Sequence, residues 1–176
     1  MFKFCFLVLI IFSFNSIALT HGEYWKPEFK KSVCVMWQTK SIDVANELNV
    51  NVTSNFSFKG KGYELSELQK SYGIQKGSHI LDFIIPGVYN KSFEKVDYPF
   101  ELYVNGEKLN KVEIEGAQYF YLNSKKVSEI LARAERGVNF GVDLESASGE
   151  KFSVDYNDEQ FSLSTKMYFT CTENIT

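Results

Sequence analysis

KSVCVMWQTK, residues 31 to 40, places a cysteine inside a short run of β-branched, aromatic and apolar residues. That composition suits a pleated, half-buried surface, so the run predicts a strand. The partner of Cys34 then decides how the chain is closed. Upstream, Cys5 lies in MFKFCFLVLIIFSF, where Lys3 precedes an apolar run from Phe4 to Phe14 broken at Ser13. Ser16 and Ala18 put small residues where a signal peptidase reads, so residues 1–18 read as a secretory signal peptide cleaved after Ala18. A membrane anchor is the alternative, but the run falls short of the ~20 residues that span hydrocarbon. No later segment is apolar enough to span. Cys5 leaves with the signal, and Cys171 is then the remaining candidate partner. In an oxidising compartment the pair reads as a Cys34–Cys171 disulfide, with two free thiols or an intermolecular bridge as alternatives. Such a tie, closing nearly the whole domain, restricts the unfolded chain by roughly 4–5 kcal/mol in the loop-entropy model.

Composition narrows the class of protein. The chain has 176 residues, and cleavage at Ala18 leaves 158, the size of one domain with a substantial core. With Lys3 removed, 18 basic and 22 acidic residues remain, a net charge near −4. A binder that tracks nucleic-acid phosphates needs clustered Lys and Arg, so nucleic acid is not an expected partner. Phe (16) and Tyr (10) far outnumber Trp (2), which favours strands.

Outward from Cys34, HGEYWKPEFK reads as the end of an irregular N-terminal arm, residues 19–30. SIDVANE is ambiguous and fits one helical turn. LNVNVTSNFSFK alternates Leu48, Val50 and Val52 against Asn49, Asn51 and Thr53, the period of a half-buried antiparallel strand. YELSELQKSYG has helical spacing at Leu65, Leu68 and Tyr72, with Gly73 as a C-terminal cap, and predicts a short helix. SHILDFIIPG is a strand stopped by Pro86-Gly87. In YPFELYVNGEKLNKVEIEG, Phe100, Leu102 and Val104 alternate up to Asn105-Gly106, the pair that tolerates a tight hairpin turn. Val112 and Ile114 alternate beyond it, and AQYFYL continues the pattern. Val127, Ile130, Leu131 and Ala134 form one stripe of a helix over about residues 124–136, capped by Asn123 or Ser124 and by Gly137. VNFGVDLESASGEKFSVDY gives two strands around a Ser-Ala-Ser-Gly turn, and FSLSTKMYFTC reads as a final strand. The expectation is a mainly β domain over residues 31–172, an antiparallel β-sandwich or flattened barrel with one short capping helix, and a tail at 173–176.

CVMWQ, IPGVY at 85–89, FELYVNGEK at 100–108, the helix, and RGVNFGVDLESASGE at 136–150 come in an order that resembles the invasion-associated locus B family of bacterial exported proteins. A segment containing Ser162-Leu163 follows. The chain lacks the mid-domain cysteine associated with that family and carries Ser164 where a glycine is expected after the Ser-Leu pair. The resemblance implies a periplasmic β-sandwich protein without known catalytic residues, associated with the cell envelope or host interaction.

Chemical signatures are sparse. His21 lies in the arm; His79 begins a strand, and Asp82, three residues on, points to the opposite face. There is no G-x-S-x-G elbow, no H-E-x-x-H helix and no cysteine–histidine spacing for a metal, so no catalytic residue, metal or cofactor is assigned. Glu113 with Glu115, and Asp143 with Glu145, share strand faces, which leaves a carboxylate-dependent hydrolase as a minor reading. Tyr24, Trp25, Tyr119 and Tyr121 are the candidate binding aromatics, with core filling as the alternative. Asn51, Asn55, Asn90 and Asn174 open Asn-x-Ser/Thr sequons, acceptors on a eukaryotic secretory path. The leading expectation is an exported, non-enzymatic binding domain, periplasmic or extracellular, whose partner is a protein or envelope component. An inhibitor or immunity-type protein against an exported enzyme is the second.

Overall fold

The computed structural model describes residues 25–44, 48–122, 124–138, 140–156 and 159–175. The signal peptide, His21, Tyr24 and Asn123 lie outside the described residues. In chain order the elements are β1 (Lys26–Lys30), β2 (Val33–Val44), β3 (Leu48–Lys59), α1 (Glu67–Ser71), β4 (His79–Ile85), β5 (Val88–Tyr89) and β6 (Lys95–Val96). They continue as β7 (Phe100–Val104), β8 (Glu107–Lys108), β9 (Asn110–Ile114), β10 (Ala117–Leu122), α2 (Ser124–Glu135), β11 (Gly141–Ser146), β12 (Lys151–Asp155) and α3 (Glu159–Ile175). One sheet runs β1-β2-β3-β4-β10-β9, with β5 and β6 added beside β3; the other runs β12-β11-β7-β8. Both are antiparallel and neither closes on itself, so the sandwich expectation holds and the barrel does not.

Period-two alternation sorts the side chains of both sheets. In β3, Val50, Val52 and Phe56 point inward and are fully buried, as are Leu81, Phe83 and Ile85 of β4. Phe100, Leu102 and Val104 of β7 with Val142 and Leu144 of β11 supply the inner face of the smaller sheet. The apolar stripe of α2, Val127, Ile130, Leu131 and Ala134, joins the same core. Gln118, buried in β10, stitches the sheets: its Oε1 accepts from the Phe100 amide (2.8 Å) and its Nε2 donates to the Tyr98 carbonyl (3.0 Å).

The Asn105-Gly106 turn forms as expected, with φ of 53° and 78° between Val104 and its partner Glu107. Its second arm, however, is only β8. At the buried Leu109 the chain leaves the small sheet, and Val112 and Ile114 pair instead with β10 in the large one. A second tight turn, Glu115-Gly116, makes that hairpin, so Glu115 (φ 51°) is a turn residue and does not share a strand face with Glu113.

Four other expectations change. The segment 26–30 is not irregular: it pairs as edge strand β1 along β2, where Pro27 is tolerated because an edge strand has one unpaired side. Ser41–Val44 is no helical turn but the end of β2, which pairs with β3 along twelve residues. Three helices are described: α1 and α2 form as expected, whereas FSLSTKMYFTC, expected as a final strand, lies within α3. The domain accordingly takes in Trp25 at one end and runs to Ile175 at the other, with no separate tail at 173–175.

The apparent alternation of Phe161, Leu163 and Thr165 misleads because the buried stripe of α3 is largely hydroxylic. Phe161, Ser164, Thr165, Tyr168 and Thr172 are buried at helical spacing, while Leu163 and Met167 are 59% and 42% exposed. Buried hydroxyls are costly unless bonded. Here Thr165 Oγ1 donates to the Phe161 carbonyl (2.8 Å), Thr172 Oγ1 to Phe169 (2.9 Å) and Ser164 Oγ to Trp25 (3.3 Å). Helical back-bonding thus lets Ser and Thr face an apolar sheet.

Cys171, on this helix and not on a terminal strand, bonds to Cys34 on β2 with Cα atoms 5.9 Å apart. Beside it the helix end presses on Gly60, where an added Cβ would stand 2.3 Å from the Ile175 carbonyl oxygen. Replacing Cys171 by Ser is expected to lower stability by about 2–5 kcal/mol. Amide exchange in α3 should accelerate well before that of β3 and β4; uniform acceleration would mean that the helix is not held locally by this tie.

Candidate functional site

The outer face of the large sheet is where polar and aromatic groups converge. One cross-strand row runs Lys26, Trp37, Asn55, Asp82, Tyr121, Asn110 over β1, β2, β3, β4, β10 and β9. The next row runs Thr39, Thr53, Ile84, Tyr119, Val112. Residues directly opposite across antiparallel strands have Cβ atoms about 4.5–5.5 Å apart, so registered outward positions touch.

Between β3 and β4 the chain makes an excursion, residues 60–78, that folds back over this face. Its base is closed by the Gly77 amide on the Lys59 carbonyl (2.8 Å). Within it, Ser66 and Gln69 form a reciprocal cap at the start of α1. Gln69 N donates to Ser66 Oγ (3.2 Å) and Ser66 N donates to Gln69 Oε1 (3.0 Å), the Ser-x-x-Gln pattern that fixes a helix start. The helix ends with the Ile74 amide on the Gln69 carbonyl (3.1 Å), and Tyr72 stacks on Tyr121 with ring centroids 5.4 Å apart. Roof and sheet enclose a pocket of about 250 Å³ whose polar lining is Asn55, Ser57, Lys59, Gln69 and Asp82, with Tyr72, Tyr119 and Tyr121 as its aromatic walls.

Asp82 is the chemical centre of the pocket. Asn55 Nδ2 donates to both carboxylate oxygens, at 3.0 and 3.2 Å. Burial pushes the Asp82 carboxyl up to about 6, against the opposing pull of the Asn55 bond and the Lys59 charge. Lys59 is only 9% exposed; its Nζ donates to Ser57 Oγ (3.4 Å) and sits 5.1 Å from the Tyr63 ring centre. Asn55 Oδ1 is buried with no hydrogen-bond partner among the described residues. The pocket therefore offers a carboxylate and an ammonium beside aromatic faces.

Of the candidate aromatics, Tyr119 and Tyr121 are half-buried on this wall, while Phe120 between them is fully buried on the inner face. Trp25 is not a surface anchor. It is 2% exposed at the centre of an aromatic cluster, stacked on Phe161 (4.8 Å) and near Phe56, Tyr156 and Phe140. His79 and Asp82 point to opposite faces as expected: His79 Nδ1 pairs with the Tyr168 hydroxyl (3.0 Å) against α3. Asp143 and Glu145 do share a face, but on the open outer side of the small sheet. Ser153 Oγ donates to Asp143 (2.7 Å), and Lys151 lies 3.9 Å from Glu145.

The sequons diverge. Asn51 is exposed on β3, and Asn174 is exposed on α3 with its Nδ2 on the Thr170 carbonyl (2.7 Å). Asn90 Oδ1 instead accepts from the Ser92 and Glu94 amides and holds a turn. Asn55 is committed to Asp82, so a glycan on its Nδ2 would break the site. Sequence reasoning passed over Asp82, Lys59 and Tyr72 as site residues. The available signal was the outward parity of Asn55, Ser57 and Lys59 on one strand.

Among the described residues no group of three or more His, Cys, Asp or Glu side chains could hold a metal ion. Nor is any described helix long and apolar enough to cross a membrane. No family model, curated protein or solved structure matches the chain.

The raised Asp82 pKa sets a pH signature. The native state holds this proton up to about pH 6 and the unfolded chain only to about 3.8, so the stabilisation present below 3.8 is lost as pH rises through 6. Asp82→Asn should therefore be more stable than the parent at pH 8, by about 1–2 kcal/mol after allowing for partial solvent screening, and should lose that advantage at pH 4. Urea unfolding midpoints at the two pH values measure this; an unchanged gap would contradict it.

Proposed function

We propose that this is an exported, non-enzymatic binding domain whose ligand occupies the pocket on the outer face of β3, β4 and β10. The observation that carries the reading is the convergence of Tyr72, Tyr119 and Tyr121 with Asn55, Lys59 and Asp82 in one concave, half-roofed site. An apolar or aromatic wall with a few placed polar groups is the usual make-up of a small-ligand site.

Binding without turnover is favoured by what lines the site. Among the described residues that line it, Asp82 is the one carboxylate, with no second acid across from it to act as the partner in general acid–base hydrolysis. The signal-like N-terminus, the Cys34–Cys171 bond and the resemblance to envelope-associated proteins support export to the periplasm or the extracellular space. The partner is then a component of the envelope or its surroundings.

The groove between β1 and the C-terminal end of α3 is a weaker candidate. It is larger, about 430 Å³, and joins Phe29, Met167, Cys171 and Ile175 to Lys30, Lys31, Thr170 and Asn174, but Lys30 is paired with Glu28 and Asn174 Nδ2 donates to the Thr170 carbonyl.

The low-molecular-weight fraction of envelope extracts should raise the melting temperature of the oxidised protein by a few degrees, since a ligand that binds only the native state stabilises it. The same fraction should leave Tyr121→Ala unshifted. Equal shifts in both proteins, or none in either, would overturn the reading.

A further inference from the structure

We propose that the ligand of this pocket is a neutral sugar ring, held by hydroxyl hydrogen bonds to Asp82 and Lys59 with a ring face against the tyrosine wall. The inference rests on the binding reading above and names the ligand class for the same site. Three features of the pocket lead to it.

Charge is the first. Asp82 and Lys59 are the two ionisable groups of opposite sign that line the pocket, and they balance. A cationic ligand drawn to Asp82 would meet the Lys59 ammonium, which is buried and held at Ser57. An anionic ligand drawn to Lys59 would meet the carboxylate. In a partly desolvated cleft such like-charge contacts are costly, so a net neutral ligand is preferred.

Hydrogen-bonding capacity is the second. Asp82, whose oxygens already accept from Asn55 Nδ2, keeps lone pairs open to a further donor, whereas Lys59 can only donate. One ligand must then donate at one point and accept at another. A hydroxyl does both, and one ring hydroxyl can donate to the carboxylate while another oxygen of the ring accepts from Lys59. A purely apolar ring would give neither Asp82 nor Lys59 a further partner.

Shape and surface are the third. The pocket, about 250 Å³, lies below the roughly 300–1,000 Å³ of sites for drug-sized ligands, which suits one small ring. Tyr119 and Tyr121 project from the same face of β10 two residues apart, and Ile84 and Ile114 extend the apolar floor. Flat aromatic side chains with a polar tip suit a ring that has an apolar C–H face and a hydroxylated edge. The roof contributes Tyr72 and Gln69 to the same space.

The test uses the oxidised full-length protein with a panel of neutral saccharides (hexoses, N-acetylhexosamines and their short oligomers), followed by amide chemical shifts. At least one sugar should give saturable shifts at residues 55–59, 80–84 and 119–121 with millimolar or tighter affinity. Tyr121→Ala and Asp82→Asn should each weaken it by roughly tenfold or more. Asp82→Asn conserves shape and so separates lost recognition from lost folding, while the wild-type shift map needs no variant at all. If no neutral sugar gives saturable shifts in the pocket, or an amine or carboxylate ligand takes the pocket instead, the sugar assignment is overturned. In that case extract-induced stabilisation that depends on Tyr121 leaves the binding reading standing. Absence of both responses sinks the two together.

Discussion

Everything in this fold turns on the docking of the last helix against the inner face of the large sheet, fastened by Cys34–Cys171. Without α3, the inner side chains of β2 and β3 near Met36, Phe56 and Phe58 would face solvent, and Trp25 would lose the ring of Phe161 on which it stacks. Burying side chains of this kind contributes about 1.5–3 kcal/mol each. The helix that covers them presents Ser164, Thr165 and Thr172 along with Phe161 and Tyr168, so its own apolar contribution is modest. The covalent tie makes good that deficit by limiting the unfolded chain, and it acts at the helix end where fraying would begin.

A sheet closed firmly on one face can leave the other face open to chemistry. Period-two geometry gives each strand two independent registers of side chains. In β3 one register reads Val50, Val52, Phe56 and the other Asn51, Asn55, Ser57, Lys59. In β4 the registers are Leu81, Phe83, Ile85 and Ile80, Asp82, Ile84. The inner registers make the core, and the outer ones, aligned by antiparallel pairing, bring Asn55, Asp82 and Tyr121 into a row that no local sequence window contains. Site and core are then separable: changes at Tyr121 or Asp82 leave the packing beneath largely intact.

That geometry also explains what could be read in advance. The alternating strands, the Asn105-Gly106 turn itself, the stripe of α2 and the cysteine pairing were legible because each is a local pattern or a count. The C-terminal helix was not, because aromatic and β-branched residues with alternating serines mimic a strand, and only the internal bonds of Thr165 and Thr172 permit a helix there. Edge strand β1 was hidden by its lysines and proline, the features that keep an edge from pairing further. For the site, the outward tyrosines Tyr119 and Tyr121 were visible from alternation, but Trp25 was taken with them although it fills the core. Asp82 and Lys59 escaped notice because their meaning depends on cross-strand register and on a roof that is 19 residues of irregular chain around one short helix.

The two faces meet again in the acid–base behaviour of β4. His79 lies on the inner side against Tyr168, and burial lowers its pKa below the usual 6.5. Its neutral form belongs to the closed structure, so the stability it contributes is present above pH 6.5 and is lost as pH falls toward its native pKa. Asp82, three residues along and on the opposite face, has the reverse sign, since protonation relieves the cost of its burial below about pH 6. Mild acid therefore loosens the latch of α3 while it relaxes the pocket. The two responses thus oppose each other in sign, one on each side of a single strand.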